Sequence, residues 1–489
     1  MKTEVLKRAY SIAEIRAAEA KVMSSGTPEL ELMDRAGRSL AEFVLNQMNR
    51  LKIEEVLFVC GGGNNGGDGF VAAQYLLEAG KEVQILCLAE RFSVTCEKVK
   101  ANYRGEVLGK IPRRRYALIV ECLLGTGVQG AVRGDAKELI NFINSSGAFV
   151  ISCDLPGGLS EGGVASEFCV RANMILCIGG LKQALLLADG PDFVGEISVA
   201  DIGLSPEGGA EVWESADVEK FFPARKSHVN KGSFGSSTIF AGICKYPNAP
   251  LFAAEACLKS GVGYTKLVAC DMLFHGAIGK NAAMLQKFSG IDSSLLSSKA
   301  IALGMGAGES EALYDQIIEL LKAYEGILVF DADALNVLAS CGLEILKKKK
   351  CRVILTPHLG EFSRLIQKDI QEILPHAVKY AKNFAKEYDV CVVLKNNHTV
   401  ITNGERVAIN TTGSPALAKG GSGDVLSGFL AGTCARGIEP YEAACVSSYL
   451  LGRAGELAAS EVGEYSVTAL DIINKLPAAI RGLSGRIAE

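Results

Sequence analysis

Residues 418–428 read AKGGSGDVLSG. Gly420, Gly421 and Gly423 allow close backbone approach to a ligand, and the apolar run after Asp424 reads as a helix. The first-turn N–H groups of such a helix are free donors at a positive dipole end. They suit an oxyanion or a phosphoryl group in transfer. A carboxylate placed there can take a proton from an attacking hydroxyl. Alone, Asp424 would read as a capping aspartate after a flexible turn. The three glycines in front of it favour function.

The segments upstream of this loop end in the same way. VFDADALNVL closes an apolar run with Asp331 and Asp333. LTPHLGEF closes another with Thr356, Pro357, His358, Gly360 and Glu361. LKNNHTVITNG presents Lys395, Asn396, Asn397, His398 and Thr399 before an Asn403-Gly404 hairpin signal. Polar residues are ordinary at strand ends, and the Asp pair also fits a cap. Their shared position at the C-terminal ends of strands favours one site.

The whole chain repeats the pattern. Its 489 residues suggest roughly two to three domains. In the first half, EEVLFVC, EVQILCLA, ALIVECLLG, AFVISCDLPGG and ANMILCIGG are apolar runs of strand length, with helical spacing in GFVAAQYLLEAG between the first two. Near-continuous apolar strands between helices predict a parallel sheet covered on both faces. A polar stretch from about 204 to 230, holding the only Trp, marks a boundary, after which the alternation restarts. The expected fold is α/β throughout: a Rossmann-like three-layer domain over 8–205 and a second α/β domain over 225–485.

Composition narrows the classes. The net charge of −4 gives no long-range attraction to nucleic acid. No apolar run approaches the ~18–20 residues that span a bilayer, so no membrane partner is expected. The N-terminal MKTEVLKRAYSIAEIRAAEA has scattered charges and does not read as a secretory leader. Fifteen cysteines stand apart, without a C-x-x-C pair or zinc spacing. They read as reduced, mostly buried thiols of a cytoplasmic protein.

A second glycine-rich loop, CGGGNNGGDGF at 60–70, contains G-x-G-x-x-G at Gly61, Gly63 and Gly66, with Glu90 about 24 residues on. That is the dinucleotide fingerprint on paper. Asp68 would repel a pyrophosphate, and Asn64 and Asn65 are not needed for one. Side-chain amides and a carboxylate suit sugar hydroxyls, amides or a cation better. Glu121 and Asp154 stand at two further strand ends, and Lys182 follows a third.

The ordered motifs KGSFGSSTIFAG, NAPLFAAEACLKSGVG, LGMGAG, FDADALN, LTPHLGEF, LKNNHTVI and NTTGSPALAKGGSGDVLSG resemble those of the ADP/ATP-dependent NAD(P)H-hydrate dehydratases, which are ribokinase-like. The resemblance covers about residues 225–480. It implies that a phosphoryl group moves from ADP or ATP, with Mg2+, to the C6 hydroxyl of a hydrated nicotinamide. Elimination of phosphate then restores NADH or NADPH. Asp424 becomes the base, and the loop with Gly420, Gly421 and Gly423 holds the phosphoryl group. Lys395, Asn396, Asn397, His398, Thr399 and Gly423 match nucleotide contacts; Ala249, Gly306, His358 and Asp424 match hydrate contacts. Two departures stand out: Leu451 in YLLGRAGELA, where the family has His, and Asn248 in PNA, where it has Gly. ADP is the expected donor.

Residues 8–205, with LELMDRAG and the 60–70 loop, resemble the NAD(P)H-hydrate epimerases, Rossmann-like domains often fused upstream of the dehydratase. These interconvert the R and S hydrates (NADHX and NADPHX). The match implies a hydrate site at Asn64, Asn65, Gly66, Gly67, Asp68, Gly125, Thr126, Gly127, Val128, Gln129, Gly130, Ala131 and Asp154, with Asp154 and Lys182 near the chemistry. The family also holds a potassium ion with an Asn, an Asp and a Ser. Here those positions are Asn65, Glu121 and Gly157. The family signature SGID is GGLS here, with Ser160 in place of Asp. Retained, retuned and lost epimerase activity all stay open, and a docking domain is the bland alternative.

Two other classes compete. A ribokinase-type small-molecule kinase would keep Asp424 and the loop but release a phosphorylated product. An NAD-dependent dehydrogenase would use the first fingerprint, against which Asp68 counts. A homo-oligomer is expected.

Overall fold

The computed structural model describes residues 8–125, 132–241, 245–278 and 283–484. The chain divides into two compact units, Met1–Ala210 and Glu211–Glu489.

The first unit is built on a seven-stranded parallel sheet. Its order is Glu106–Leu108, Glu82–Leu86, Glu55–Cys60, Leu118–Cys122, Phe149–Cys153, Met174–Ile178, Glu196–Ala200. Apolar residues alternate between two cores. Val56, Phe58 and Cys60 face one with Leu40, Val44 and Phe70, whereas Leu57 and Val59 face the other with Leu139 and Ile143. Both faces being covered explains why these strands read as unbroken apolar runs. Strand order reverses between Glu55–Cys60 and Leu118–Cys122, the kind of place where open α/β sheets bind ligands. Of the stretch expected as a loop at 60–70, only Gly61–Gly63 connects strand and helix; helix Asn64–Glu78 already begins at Asn64. A Cβ at Gly61 would lie 2.0 Å from Leu123 O, so only glycine permits the approach.

Among the described residues, nine strands of the second unit lie side by side in one sheet, in the order Met284–Lys287, Tyr264–Ala269, Ser236–Phe240, Ala300–Leu303, Ile327–Phe330, Arg352–Leu355, Cys391–Leu394, Thr399–Thr402, Val407–Asn410, with Glu211 pairing at Ala408. The first seven are parallel. Thr399–Thr402 pairs antiparallel with both neighbours. The expected hairpin turns at Asn403-Gly404, with Gly404 at φ 90°. The boundary stretch forms a short helix, Ser215–Glu219, with Trp213 stacked on Phe221.

One helix organises this unit. Ser422–Ala435 is buried at every position from Val425 onward. It packs on Asn248–Lys259 so closely that a Cβ at Gly428 would lie 1.9 Å from Ala253 O, and one at Gly432 2.1 Å from Ser260 Oγ. The small side chains thus set the depth of the helix. Leu451, which departs from the family pattern, joins the same apolar core.

Among the described residues every cysteine is a free thiol, and all but Cys270 and Cys341 are buried. None of the described helices is long and apolar enough to cross a membrane.

Candidate functional site

In the second unit, Gly304, Asp331, Thr356 and Lys395 are each the first residue after a parallel strand. They converge below the start of helix Ser422–Ala435. Lys395 Nζ lies 2.8 Å from Asp331 Oδ1, and Ser427 Oγ donates to Asp331 Oδ2 at 2.8 Å. The Thr356 hydroxyl is 3.4 Å from Ser427 Oγ. Asp331 is 2% exposed. Burial alone would raise its pKa, but the Lys395 ammonium and these hydroxyls hold it below the ordinary value. Lys395 is pushed down by burial and up by Asp331, Glu361 and Asp424; its net pKa is raised.

Asp424 sits in the first turn of the helix, three residues before Ser427. Burial first, then the charges of Asp331 and Asp333, lift its pKa to about 7, against the pull of Lys395. A carboxyl that titrates near neutrality is matched to proton transfer. Gly421 takes φ 99°, the left-handed turn that launches the helix. A Cβ at Gly423 would lie 3.3 Å from Lys395 Nζ, whereas one at Gly420 would meet nothing within 4 Å. The loop therefore touches the lysine on one side and is open on the other.

Three more predicted positions form the rim. Gly306 has φ 66°, and a Cβ there would lie 2.4 Å from Tyr246 O and 3.1 Å from the Ala249 Cβ. Tyr246 N donates to Gly306 O at 3.1 Å. His358 caps helix Leu359–Ile366. Its Nδ1 accepts from Gly360 N at 3.0 Å, which leaves the proton on Nε2. Its backbone pairs with Lys395 in a parallel bridge. Asn396 and Asn397 are exposed in the turn before Thr399, and His398 N donates to Asn397 Oδ1 at 2.8 Å. Asp333 accepts from Gly308 N at 2.7 Å, a structural role. Ser427 was not singled out by sequence; its spacing of one turn from Asp424 is the only signal.

In the first unit, Asp154 adopts φ 69°, rare for a non-glycine residue. Its Oδ1 accepts from Ile178 N at 3.0 Å and pairs with the Lys182 ammonium, which is 1% exposed and also donates to Ile178 O at 2.5 Å. Burial alone would lower the Lys182 pKa, but Asp154 holds it raised. Asp68 lies in the same field. Burial, then Asp154 and Glu19, push its carboxyl well up. Glu19, from helix Ile12–Ser24, is raised by burial and by Asp154. Glu19, Asp68, Asn64 and Ile178 line one cavity of about 110 Å3. Sequence reasoning missed Glu19, which lies far from every glycine loop.

Asn64 Nδ2 donates to Glu29 Oε1 at 2.8 Å, and its Oδ1 accepts from Ser93. Gly66 and Gly67 lie in the first helical turn after the loop. A Cβ at Gly125 would touch the Asn65 side chain at 3.0 Å. Thr126, Gly127, Val128, Gln129, Gly130 and Ala131 lie outside the described residues. Glu121 is fully buried, and burial raises its carboxyl to about 7 although backbone N–H groups pull it down.

Fold and sites define an α/β protein of two units, the second with a glycine-bordered helix start beside a buried Lys–Asp pair. Residues 237–478 match the family model described as NAD(P)H-hydrate dehydratase, and residues 29–184 match that of the YjeF-related protein N-terminus. The bifunctional NAD(P)H-hydrate repair enzyme Nnr of Pyrobaculum aerophilum is 32% identical, over 96% of this chain and 97% of its own. That of Thermofilum pendens is 31% identical, over 96% of each. A solved Streptococcus mutans structure is alike in fold, with TM-score 0.50 and 23% identity, over 56% of this chain and 99% of that one. The chain belongs to the family of bifunctional NAD(P)H-hydrate repair enzymes.

Proposed function

We propose that the second unit dehydrates the S form of hydrated NADH and NADPH, with ADP as phosphoryl donor. Asp424 carries the reading: it is a carboxyl of pKa about 7 at a glycine-bordered helix start, beside a buried lysine. It takes the proton of the C6 hydroxyl as that oxygen attacks the terminal phosphorus of the nucleotide, and the bond from that phosphorus to the bridging oxygen breaks, releasing AMP when ADP is the donor. The helix N–H groups and Lys395 offset the charge on the moving phosphoryl group. Loss of phosphate, with a ring proton, then restores the double bond. Ala249, Gly306 and His358 face the hydrate; Lys395 to Thr399, with Gly420, Gly421 and Gly423, face the nucleotide. Among the described residues, no three His, Cys, Asp or Glu side chains gather to hold a metal. Mg2+ would come with the nucleotide phosphates, as it commonly does.

The first unit epimerises the R and S hydrates, with Asp154 and Lys182 at the reacting centre. The strained Asp154 backbone and the buried ion pair support this assignment. Acting on free nicotinamide nucleotides, the enzyme works in the cytoplasm, as a homo-oligomer. Mixing purified protein with NADH hydrate, Mg2+ and ADP or ATP, and following the absorbance of the reduced ring, tests the reading. Recovery of absorbance is expected, faster with ADP. A stable phosphorylated product without recovery would overturn it.

A further inference from the structure

The potassium ion implied for the first unit does not fit the residues present. Glu121 Oε1 accepts from Leu123 N at 2.8 Å, and Oε2 accepts from Gly157 N at 3.2 Å. Each N–H is the positive end of a dipole and stands where a cation facing that carboxylate would stand. Gly157 therefore contributes a donor at a position where a ligand oxygen is required. The two departures from the family pattern are also complementary in volume. A Cβ at Gly157 would lie 3.0 Å from Glu121 Oε1, a tight contact that the glycine avoids while the longer acid reaches the 157 amide. Asn65 adds a second obstacle. Its Nδ2 donates to Leu124 O and to Cys153 O, both at 3.3 Å, and so bridges two carbonyls that a cation would otherwise gather. Among the described residues, Asn65 Oδ1 and the Ser152 Oγ beside Glu121 are left as buried acceptors without a hydrogen-bond partner, two oxygens where a cation needs many more. A calcium-sized hard cation collects about six to eight oxygens, and a larger one needs no fewer.

We infer that the Glu121–Gly157 contact replaces the monovalent cation, and that the first unit folds and binds hydrate without one. The carboxylate and the two backbone donors satisfy one another inside the protein, so the strand end at 121 and the turn at 157 are tied directly. The reverse change, Glu121→Asp with Gly157→Ser, shortens the acid, adds a hydroxyl and reopens the space between them.

Thallium(I), a stand-in for potassium with a strong anomalous signal, reads the site directly in crystals of the full chain. Soaked wild-type crystals should show no peak between Asn65, Glu121 and residue 157, and the double variant should show one. In parallel, Tm is compared in KCl and in choline chloride at matched ionic strength. The KCl-minus-choline difference should be larger in the double variant than in wild type. A thallium peak at this place in the wild type sinks the inference, and so does a folded double variant with neither a peak nor a gain in Tm difference. If the double variant does not fold, the wild-type soak still decides. Neither readout needs the unit to be catalytically active, so a silent epimerase and a misread cation site are told apart.

Discussion

Lys395 Nζ lies 2.8 Å from Asp331 Oδ1, with the aspartate buried and its second oxygen held by Ser427. The pair fixes one positive charge beside Gly423 and against Asp424. Each strand that ends at this site contributes one part of the arrangement, and the helix above it contributes Asp424.

Asp331→Asn should therefore weaken the fold as well as the reaction. Removing the anion leaves the Lys395 ammonium buried with its main partner gone, a change that costs about 3 kcal/mol. Urea denaturation should show a lower midpoint with an unchanged slope. A midpoint equal to wild type would mean that the pair carries no structural weight.

The dehydratase rate should rise with pH around a midpoint of about 7, because the base must be ionised. The stability effect has the opposite sign. A carboxyl whose folded pKa is raised from 3.8 to about 7 supports the fold while protonated, and that support is lost as pH climbs through this window. Asp424→Asn should abolish repair and stabilise the protein above pH 7 by about 1–2 kcal/mol, allowing for partial solvent access. Rate profiles and denaturation across this range check both halves of the claim.

Gly428→Ala should separate the two packed helices. The added methyl would lie 1.9 Å from Ala253 O, a backbone atom that cannot swing aside. Overpacking of this kind costs about 1–3 kcal/mol. We expect a lower Tm together with a fall in kcat, since the same helix carries Asp424. A stable variant with normal kcat would show that the helix pair is softer than its contacts imply.

Lys182→Met should silence the first unit and spare the second. Given R hydrate alone, the variant should recover cofactor only at the spontaneous epimerisation rate; given S hydrate, it should match wild type. Loss of S-hydrate turnover as well would point to misfolding rather than chemistry.

Much of this was legible in the chain. The convergence of Asp331, Thr356, His358 and Lys395 was legible because apolar strands end abruptly and place polar residues at one edge of the sheet, and Asp424 stood out by the three glycines before its helix. Asn403-Gly404 was found because its turn demands a left-handed glycine. Glu19 was not found: it lies on a helix whose spacing describes only its own buried face, and tertiary packing alone carries it to Asp68. Ser427 was hidden in an apolar run, where a serine reads as filler. The Glu121–Gly157 contact was hidden for a different reason. Glu121 read as a displaced ligand and Gly157 as a lost one, and only their 3.2 Å contact brings the two changes together.

The seating of helix Ser422–Ala435 has a bearing on redesign. Because glycines 428 and 432 lock it against its neighbour, the position of the base is inherited from the interior and is insensitive to remodelling at the surface. A variant intended to accept a different alcohol should leave that helix untouched and redraw the mouth at exposed Tyr246, because a Cβ at Gly306 would meet Tyr246 O at 2.4 Å and Ala249 lies on the helix packed against it.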